Sequence, residues 1–420
     1  MRFLYTVVLY FLLPFVLLRL FWLGFKSPAY WSRWNERLGF PVRVDPGKHV
    51  LWIHAVSVGE VQAAVPLVKR LLDRYPQHQI LITTVTPTGA QRVRQHFGES
   101  VRHLYLPYDL PNAITSFIRR IKPEFLLIME TELWPNLYHI CASRRIPVVL
   151  TNARLSPRSF RGYQRLCQLT RETLSNVTMI AAQTQEDANR FILLGADGQK
   201  VVVTGNLKFD ISLPPSLEEQ AQSLRRYFSV NRTVWIAAST HEGEEETILQ
   251  AHRQILSIDP QCLLIIAPRH PERFDKVYEL CRKQGFTTIR KGNHEECHRG
   301  VQVFILDSLG ELPMYYAASD LAFVGGSLVP VGGHNMLEPA CIEIPVISGP
   351  YTHNFEEVRR LLVDVGAMFI VYDVEQLIEK VCTLISDANI RHAMGEAGRK
   401  AVTANRGCVD LVYQILEKYI

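Results

Sequence analysis

The sequence predicts an α/β protein of two Rossmann-like domains that face a cleft, preceded by an N-terminal membrane anchor. The chain has 420 residues, which is enough for two domains with separate cores. After residue 47, short apolar segments alternate with helical patterns, and near residue 232 this alternation begins again. Apolar strands separated by helices indicate parallel sheets with helices on both faces.

The first half contains seven apolar segments that we predict to be strands. They are residues 51–54, 80–84, 101–106, 125–129, 147–151, 179–182 and 201–204. Helical patterns at 60–74 and 89–97, and another between the third and fourth strands, connect them. This order is typical of one doubly wound sheet.

The second half repeats the pattern. Its predicted strands are residues 233–238, 263–267, 303–306, 321–324 and 345–347, with a helix beginning at 242. We place the anchor at 1–25, the first domain at 26–212 and the second at 213–420. Residues 212–224, which include Pro214 and Pro215, form the predicted linker. We expect the final helix, after Arg406, to pack back on the first domain.

The N-terminus is the most apolar part of the chain. Residues 3–18 are interrupted only by Thr6, two tyrosines and Pro14, and the run resumes at 20–25 after Arg19. A full span needs about 20 apolar residues. A cleaved signal peptide is the alternative, but no small-residue cleavage site follows. Basic and aromatic flanking residues favour an uncleaved anchor that spans the bilayer or lies in its interface, with the rest of the chain cytoplasmic. These flanking residues are Arg19, Trp22, Phe25, Lys26, Tyr30, Trp31, Arg33, Trp34 and Arg37.

Composition, net charge and cysteine usage limit the class of protein. The chain is 47% hydrophobic and 21% charged, which is ordinary for a folded protein. A net charge of +5 is too small to indicate a nucleic-acid partner, but it fits an anionic membrane surface or substrate. The eight cysteines form no CxxC pair, which is typical of reduced cysteines in a cytoplasmic protein.

Polar side chains follow three predicted strands of the first half. Glu60 opens a helix after a turn at Gly59, and is either a general base for an acceptor hydroxyl or an ordinary helix N-terminal residue. Glu130 follows a wholly apolar strand and needs a partner there, whereas capping explains Glu132. Lys208 is either a counter-charge for a leaving phosphate or a solvated surface lysine.

The second half carries three motifs after its strands. Helix capping is a sufficient account of residues 239–245. Arg269, in the segment 268–274, can pair with a phosphate or an acidic sugar, or can belong to a surface turn. Residues 325–340 contain two glycine pairs before a predicted helix, an arrangement that lets backbone and a helix N-terminus approach a phosphate. Glu338 there can accept from ribose hydroxyls, and two flexible loops are the alternative.

A metal site is not predicted. His294, Cys297 and His298 lie in a polar loop with no fourth ligand nearby, which favours a solvated loop. The sequence has no acidic pair that clearly requires a metal ion, and no Ser-His-Asp order with a nucleophile elbow.

Together these motifs resemble, in order and spacing, the Kdo (3-deoxy-D-manno-octulosonic acid) transferases of lipopolysaccharide biosynthesis. The resemblance covers nearly the whole chain. It is carried by residues 57–60, 86–89, 130–136, 205–210, 239–245, 268–274 and 325–340. It departs from the expected pattern at Pro330, Val331 and Met336, which removes no charged group.

The resemblance implies a glycosyltransferase B-type fold, with the acceptor bound by the first domain and the nucleotide sugar by the second. It implies inverting transfer of Kdo from CMP-Kdo to a lipid A precursor (lipid IVA), without a metal or other cofactor, at the cytoplasmic side of a bacterial inner membrane. By position, Glu60 corresponds to the general base, and Glu130 and Lys208 to transition-state stabilisers. The positions that correspond to CMP contacts are Pro268, Arg269, Leu309, Gly310, Glu311, Asn335, Met336, Leu337 and Glu338.

Three other functions stay open at this point. A related B-type enzyme would use a UDP-sugar on a lipid. A nucleotide-sugar epimerase can share the fold, but it needs neither a lipid acceptor nor an anchor. A membrane-bound sugar-nucleotide binding protein would need no catalytic carboxylates.

Overall fold

The computed structural model describes residues 1–41, 47–211 and 213–420. These residues form two compact units, one of residues 1–210 with 406–420 and one of residues 211–405. The first residue of the predicted linker, Ser212, lies outside the described residues.

Two seven-stranded sheets, in which every pair of neighbouring strands is parallel, organise the two units. The strand order is β3-β2-β1-β4-β5-β6-β7 in the first and β10-β11-β9-β8-β12-β13-β14 in the second. The strands are β1 (Val50–His54), β2 (Gln79–Thr84), β3 (Arg102–Tyr105), β4 (Pro123–Met129), β5 (Val148–Ala153), β6 (Met179–Ala182), β7 (Val201–Val203), β8 (Val234–Thr240), β9 (Leu263–Pro268), β10 (Thr288–Arg290), β11 (Val303–Ile305), β12 (Leu321–Val324), β13 (Val346–Ser348) and β14 (Met368–Ile370).

Helices connect these strands. They are α1 (Arg2–Lys26), α2 (Trp34–Arg37), α3 (Val58–Arg74), α4 (Pro87–Phe97), α5 (Pro111–Ile121), α6 (Pro135–Ser143), α7 (Pro157–Arg165), α8 (Cys167–Ser175), α9 (Gln185–Leu193), α10 (Leu217–Tyr227), α11 (Glu245–Ile258), α12 (Phe274–Lys283), α13 (Leu312–Ala317), α14 (Leu337–Ala340), α15 (Glu356–Asp364), α16 (Val374–Ser386), α17 (Ala388–Ala404) and α18 (Cys408–Leu416). Short 3-10 helices cover Pro28–Trp31, Gly198–Lys200, Leu207–Phe209, Pro271–Arg273, Lys291–Asn293 and His353–Phe355.

Side-chain alternation along the strands creates a core on each face of each sheet. In β1, Val50 and Trp52 pack on one face of the first sheet, and Leu51 and Ile53 pack on the other. All four are fully buried. The two α/β domains with parallel sheets that the sequence predicts are therefore confirmed.

The structure differs from the sequence prediction in five elements. Strands β10 and β14, each of three residues, were not predicted. The segment 212–224, predicted as a linker, includes the start of α10. The helix predicted from residue 242 begins at Glu245, because Gly243 has a φ of +92° and cannot continue a helix. The helix predicted after Gly333 is the single turn α14.

The last helix belongs to the first domain. Helix α18 packs against α3, and Val412 and Leu416 are fully buried in the core beside β1. Asp210 fixes the start of this helix, because its two carboxylate oxygens accept from Gly407 N and Val409 N, each at 2.6 Å.

We expect Leu416→Ala to lower the free energy of unfolding of the first domain by about 2–5 kcal/mol, because the buried side chain leaves a cavity. Leu411→Ala is the matched control, since Leu411 lies on the same helix and is 45% exposed. Urea unfolding of the detergent-solubilised chain measures both. Equal losses in the two variants would contradict the packing of α18.

Candidate functional site

The order in which the first sheet adds its strands reverses between β1 and β4. Strand β1 is central, the chain continues to β2 and β3 on one side, and β4 then lies on the other side of β1. In open parallel sheets, ligands bind outside the carboxyl ends of the strands at such a switch point. Glu60 follows β1 and Glu130 follows β4, so both predicted carboxylates lie at this point.

Glu60 is held at the start of α3. Ser57 caps the helix: its hydroxyl accepts from Glu60 N at 3.3 Å and donates to Glu60 Oε1 at 2.8 Å. The other carboxylate oxygen accepts from Val56 N at 2.8 Å. Glu60 is 7% exposed, and this burial, with the nearby charges of Glu130 and Glu132, raises its pKa to about 7.

Glu130 and Glu132 extend the same carboxylate cluster. Glu130 has a left-handed backbone with a φ of +56°, an uncommon conformation for a non-glycine residue. Its Oε2 atom accepts from Arg154 Nε at 3.1 Å. Burial and the charge of Glu130 raise the pKa of Glu132 to about 7.

The pKa of Glu60 and that of Glu132 therefore both lie near 7. A carboxylate with a pKa near 7 is a far better general base at neutral pH than one with an ordinary pKa. Glu60 or Glu132 can therefore take a proton from a hydroxyl group at the switch point.

Lys208 lies in the 3-10 helix Leu207–Phe209, which packs against α3. Asn152, at the end of β5, fixes this turn by accepting from Leu207 N at 3.0 Å. Asn206 caps it by accepting from Lys208 N, also at 3.0 Å. The Lys208 side chain is partly buried. The sequence predicted Glu60 and Lys208 from separate motifs, and the packing of this turn on α3 places their elements side by side.

In the second domain, the predicted nucleotide contacts lie at the ends of strands or after them, at the carboxyl edge of the sheet. Pro268 ends β9, and Arg269 donates its backbone N–H to Thr240 O at 3.0 Å. Leu309, Gly310 and Glu311 lie between β11 and α13. Glu311 forms an ion pair with Lys291, and Leu309 is 60% exposed.

The segment 335–338 forms the start of α14. Asn335 accepts from Leu337 N at 3.1 Å and donates to Glu338 Oε1 at 3.0 Å. Met336 and Leu337 are fully buried, so only their backbone can meet a ligand.

Glu244 holds the glycine-rich loop after β12. The side chain is fully buried, and four backbone amides donate to its carboxylate. The donors are His241 N at 2.9 Å, Gly326 N at 2.7 Å, Ser327 N at 3.0 Å and Leu328 N at 2.9 Å. This one carboxylate therefore ties the ends of β8 and β12, the switch point of the second sheet, to each other.

Two histidines lie against this loop. His241 and His334 are stacked, with 2.8 Å between their Nε2 atoms. A side chain at Gly326, which has a φ of +66°, would meet His334 Cδ2 at 2.9 Å, so the loop requires glycine there. Burial lowers the pKa of His241, and Arg269 and Arg273 lower it further. Imidazole and guanidinium groups thus lie at the carboxyl edge of the second sheet, and both kinds of group can donate hydrogen bonds to an anion.

The sequence analysis assigned no functional role to two residues of these sites. Glu132 was explained as a cap, although its position two residues after Glu130 was a usable signal. Glu244 was also explained by helix capping, and no local signal reveals its role, because three of its four donors lie 82–84 residues away.

Comparisons with known proteins point to one family. A family model described as "3-Deoxy-D-manno-octulosonic-acid transferase (kdotransferase)" matches residues 32–211, and one described as "Glycosyl transferases group 1" matches residues 236–401. The 3-deoxy-D-manno-octulosonic acid transferase of Haemophilus influenzae is 43% identical over 421 residues, which covers 100% of this chain and 99% of that protein. The enzyme of the same name from Bordetella pertussis is 35% identical and covers 94% of this chain and 92% of its own.

Solved structures add the fold. The UDP-GlcNAc 2-epimerase of Neisseria meningitidis, bound to UDP-GlcNAc, has a TM-score of 0.57 and covers 88% of this chain and 100% of its own. It is only 17% identical, so the likeness shows that the two proteins share a fold and nothing more.

We expect Glu244→Gln to destabilise the second domain by about 3 kcal/mol, because the amide group places a donor against backbone donors that the carboxylate now satisfies. The exposed Glu242→Gln is the matched control. Thermal unfolding measures both, and a Glu244→Gln protein as stable as the control would refute the role of this carboxylate.

Proposed function

The chain belongs to the Kdo transferase family and is a glycosyltransferase, and on that premise we propose that it transfers Kdo from CMP-Kdo to a lipid A precursor, lipid IVA. The first domain binds the acceptor, and the second binds the nucleotide sugar. The observation that carries this proposal is Glu60, a buried carboxylate with its pKa raised to about 7 at the switch point of the first sheet.

Glu60 acts as the general base of a single displacement. The acceptor oxygen forms a bond to the anomeric carbon of Kdo while the bond from that carbon to the CMP phosphate oxygen breaks. The hydroxyl proton passes to Glu60, and CMP leaves with the bonding electron pair. One displacement inverts the anomeric configuration, and this scheme uses no metal ion.

Other residues stabilise the charges that develop. The anomeric carbon becomes oxocarbenium-like, and the carboxylate of Glu130 stabilises its positive charge. Lys208 and Arg269 oppose the negative charge on the leaving phosphate. Pro268, the segment 309–311 and the segment 335–338 contact CMP, with Glu338 accepting from the ribose hydroxyls.

Helix α1 attaches the enzyme to the membrane. It is the one helix in the described residues that is long and apolar enough to cross a membrane, with a mean hydropathy of 2.2. Most of its circumference is exposed and apolar, with Phe3, Val7, Leu12 and Phe21 among the exposed side chains. Seven further exposed apolar side chains recur every three or four residues and so form one continuous face. They are Leu4, Val8, Phe11, Phe15, Leu18, Trp22 and Phe25.

Polar residues at the start of α1 bind the first domain instead. Arg2 and Thr6 donate to Asn136 Oδ1 at 3.2 and 3.1 Å, and Tyr5 donates to Asp109 Oδ2 at 3.1 Å. A helix fixed to a domain on one face and apolar on the other suits the interface of a bilayer better than a position across it. We place it in the cytoplasmic leaflet of the bacterial inner membrane.

A transfer assay tests the reaction. The detergent-solubilised chain is given CMP-Kdo, generated in situ, and lipid IVA, and the product is measured by mass spectrometry. A gain of one or more Kdo masses, unchanged by EDTA, is the expected result. No gain with CMP-Kdo but a gain with a UDP-sugar would overturn the donor, and conversion of a UDP-sugar without lipid would favour the epimerase.

We expect Glu60→Gln to lower kcat by about 10²–10⁴-fold, because the amide cannot accept the proton. In the unchanged enzyme, kcat/KM rises with pH up to about 7 and then levels, since the base acts only when deprotonated. Steady-state rates across pH measure both effects. A folded Glu60→Gln protein with normal turnover would eliminate this residue as the base.

We expect Glu132→Gln to shift the acidic limb of the kcat/KM profile to lower pH. The charge of Glu132 raises the pKa of Glu60, so its removal lowers that pKa. Glu99→Gln is the control, because Glu99 is exposed and absent from the groups that shift Glu60. An unmoved limb would show that the two carboxylates do not interact.

We expect the double variant Phe11→Ser and Phe15→Ser to bind anionic lipid vesicles at least about tenfold more weakly. The two substitutions remove exposed aromatic side chains of α1 that would otherwise insert into the bilayer. Leu193→Ser is the control, since Leu193 is 73% exposed but lies on α9. Vesicle flotation measures both. Equal binding by the two variants would contradict interfacial attachment through this face.

A further inference from the structure

Two histidines and a carboxylate converge at the amino edge of the first sheet. They are His49, His78 and Glu124, and their ligand atoms all lie within 4.8 Å of one another. We propose that these residues bind a divalent first-row transition-metal ion, with Zn²⁺ as the preferred ion. The sequence analysis did not select any of the three.

The strand register brings the three side chains together. Val50 of β1 pairs with Gln79 of β2 and with Pro123 of β4. His49 and His78 directly precede two of these paired residues, and Gln79 N donates to His49 O at 2.8 Å. Three neighbouring strands therefore begin at the same level of the sheet.

A β-bulge supplies the third ligand. The pairing of β1 with β4 passes from Val50–Pro123 to Leu51–Phe125, which leaves Glu124 without a partner on β1. An extra residue of this kind turns its side chain away from the regular alternation. Glu124 is thereby available to both histidines.

One distance already suits a shared ion, and the other is a direct contact that an ion would replace. Glu124 Oε2 lies 3.4 Å from His78 Nε2, close to the separation of about 3.3 Å between two ligand atoms on a tetrahedral zinc ion. Glu124 Oε1 lies 2.5 Å from His49 Nδ1. His49 is the exposed member, with 68% of its side chain accessible, and it gives an ion a path of entry.

Unsatisfied atoms distinguish this cluster from a surface ion pair. Glu124 Oε2 and His78 Nδ1 are buried and have no hydrogen-bond partner among the described residues. Buried polar atoms are nearly always satisfied, so two unsatisfied atoms on adjoining side chains of one cluster favour a missing ligand there. An ion on Glu124 Oε2 would satisfy that carboxylate oxygen.

The ligand types select the ion. Two imidazoles and one carboxylate are the set that zinc takes with a water in its fourth position. Ca²⁺ and Mg²⁺ prefer oxygen ligands throughout, which two histidines do not provide.

The cluster is separate from the transfer site. Strand β1 has five residues and places His49 before its first residue and the Glu60 turn after its last, so about 16 Å of strand divides them. The ion would join the starts of β1, β2 and β4. Binding of the ion would therefore affect the stability of the first domain. EDTA can remove the ion without altering the groups that perform the transfer.

Metal titration of the chelator-treated, detergent-solubilised full chain tests this. We expect Co²⁺ to give the visible absorption of a four-coordinate site at one ion per chain, and Zn²⁺ to displace it. We expect Zn²⁺ at about a hundredfold excess over its Kd to raise the melting temperature by roughly 5 °C. His49→Ala and Glu124→Gln should each weaken binding by at least about tenfold.

His298→Ala is the matched control, because His298 is an exposed histidine of the second domain. It should leave the absorption and the melting shift unchanged. The proposal is overturned if no ion binds, or if binding is equal in His49→Ala, Glu124→Gln and the control. Kdo transfer at low temperature by the chelated protein keeps this outcome distinct from a failure of the proposed reaction.

Discussion

A charge buried inside a protein must be stabilised by the protein itself, and much of this structure is arranged around that requirement. Glu244 has no exposed surface and is surrounded by four backbone amides. Without that carboxylate, the amides of residues 326–328 would be buried donors with no acceptor. The glycine-rich loop, and with it the edge that is proposed to meet CMP, therefore depends on one side chain.

Glu60 shows the opposite balance. It is nearly as buried as Glu244, yet only one backbone amide and one hydroxyl donate to its carboxylate, and two other carboxylates lie near it. Its charged form is therefore poorly stabilised, which is what raises its pKa. The number of donors around a carboxylate thus separates one that stabilises the fold from one that can exchange a proton.

The sequence predicts best what is local or repeated. Most strands were found because apolar segments of four or more residues alternate with helices. Glu130 was found because it directly follows such a segment, and Glu60 was found because it opens the helix after one. Glu244 and the bulge at Glu124 could not be found this way, because both depend on which strands pair and in which register. The helix predicted after the glycine pairs is the single turn α14, a length that the glycine pattern does not report.

The position of α18 has a consequence for biosynthesis. The core of the first domain includes Val412 and Leu416, which are synthesised after the whole second domain. Domains ordinarily fold in order from the N-terminus during synthesis. Here the second domain, residues 211–405, is complete before the first receives its final helix. The core of the first domain therefore stays incomplete while the whole second domain is synthesised, and it can close only when the segment that follows residue 405 has been made.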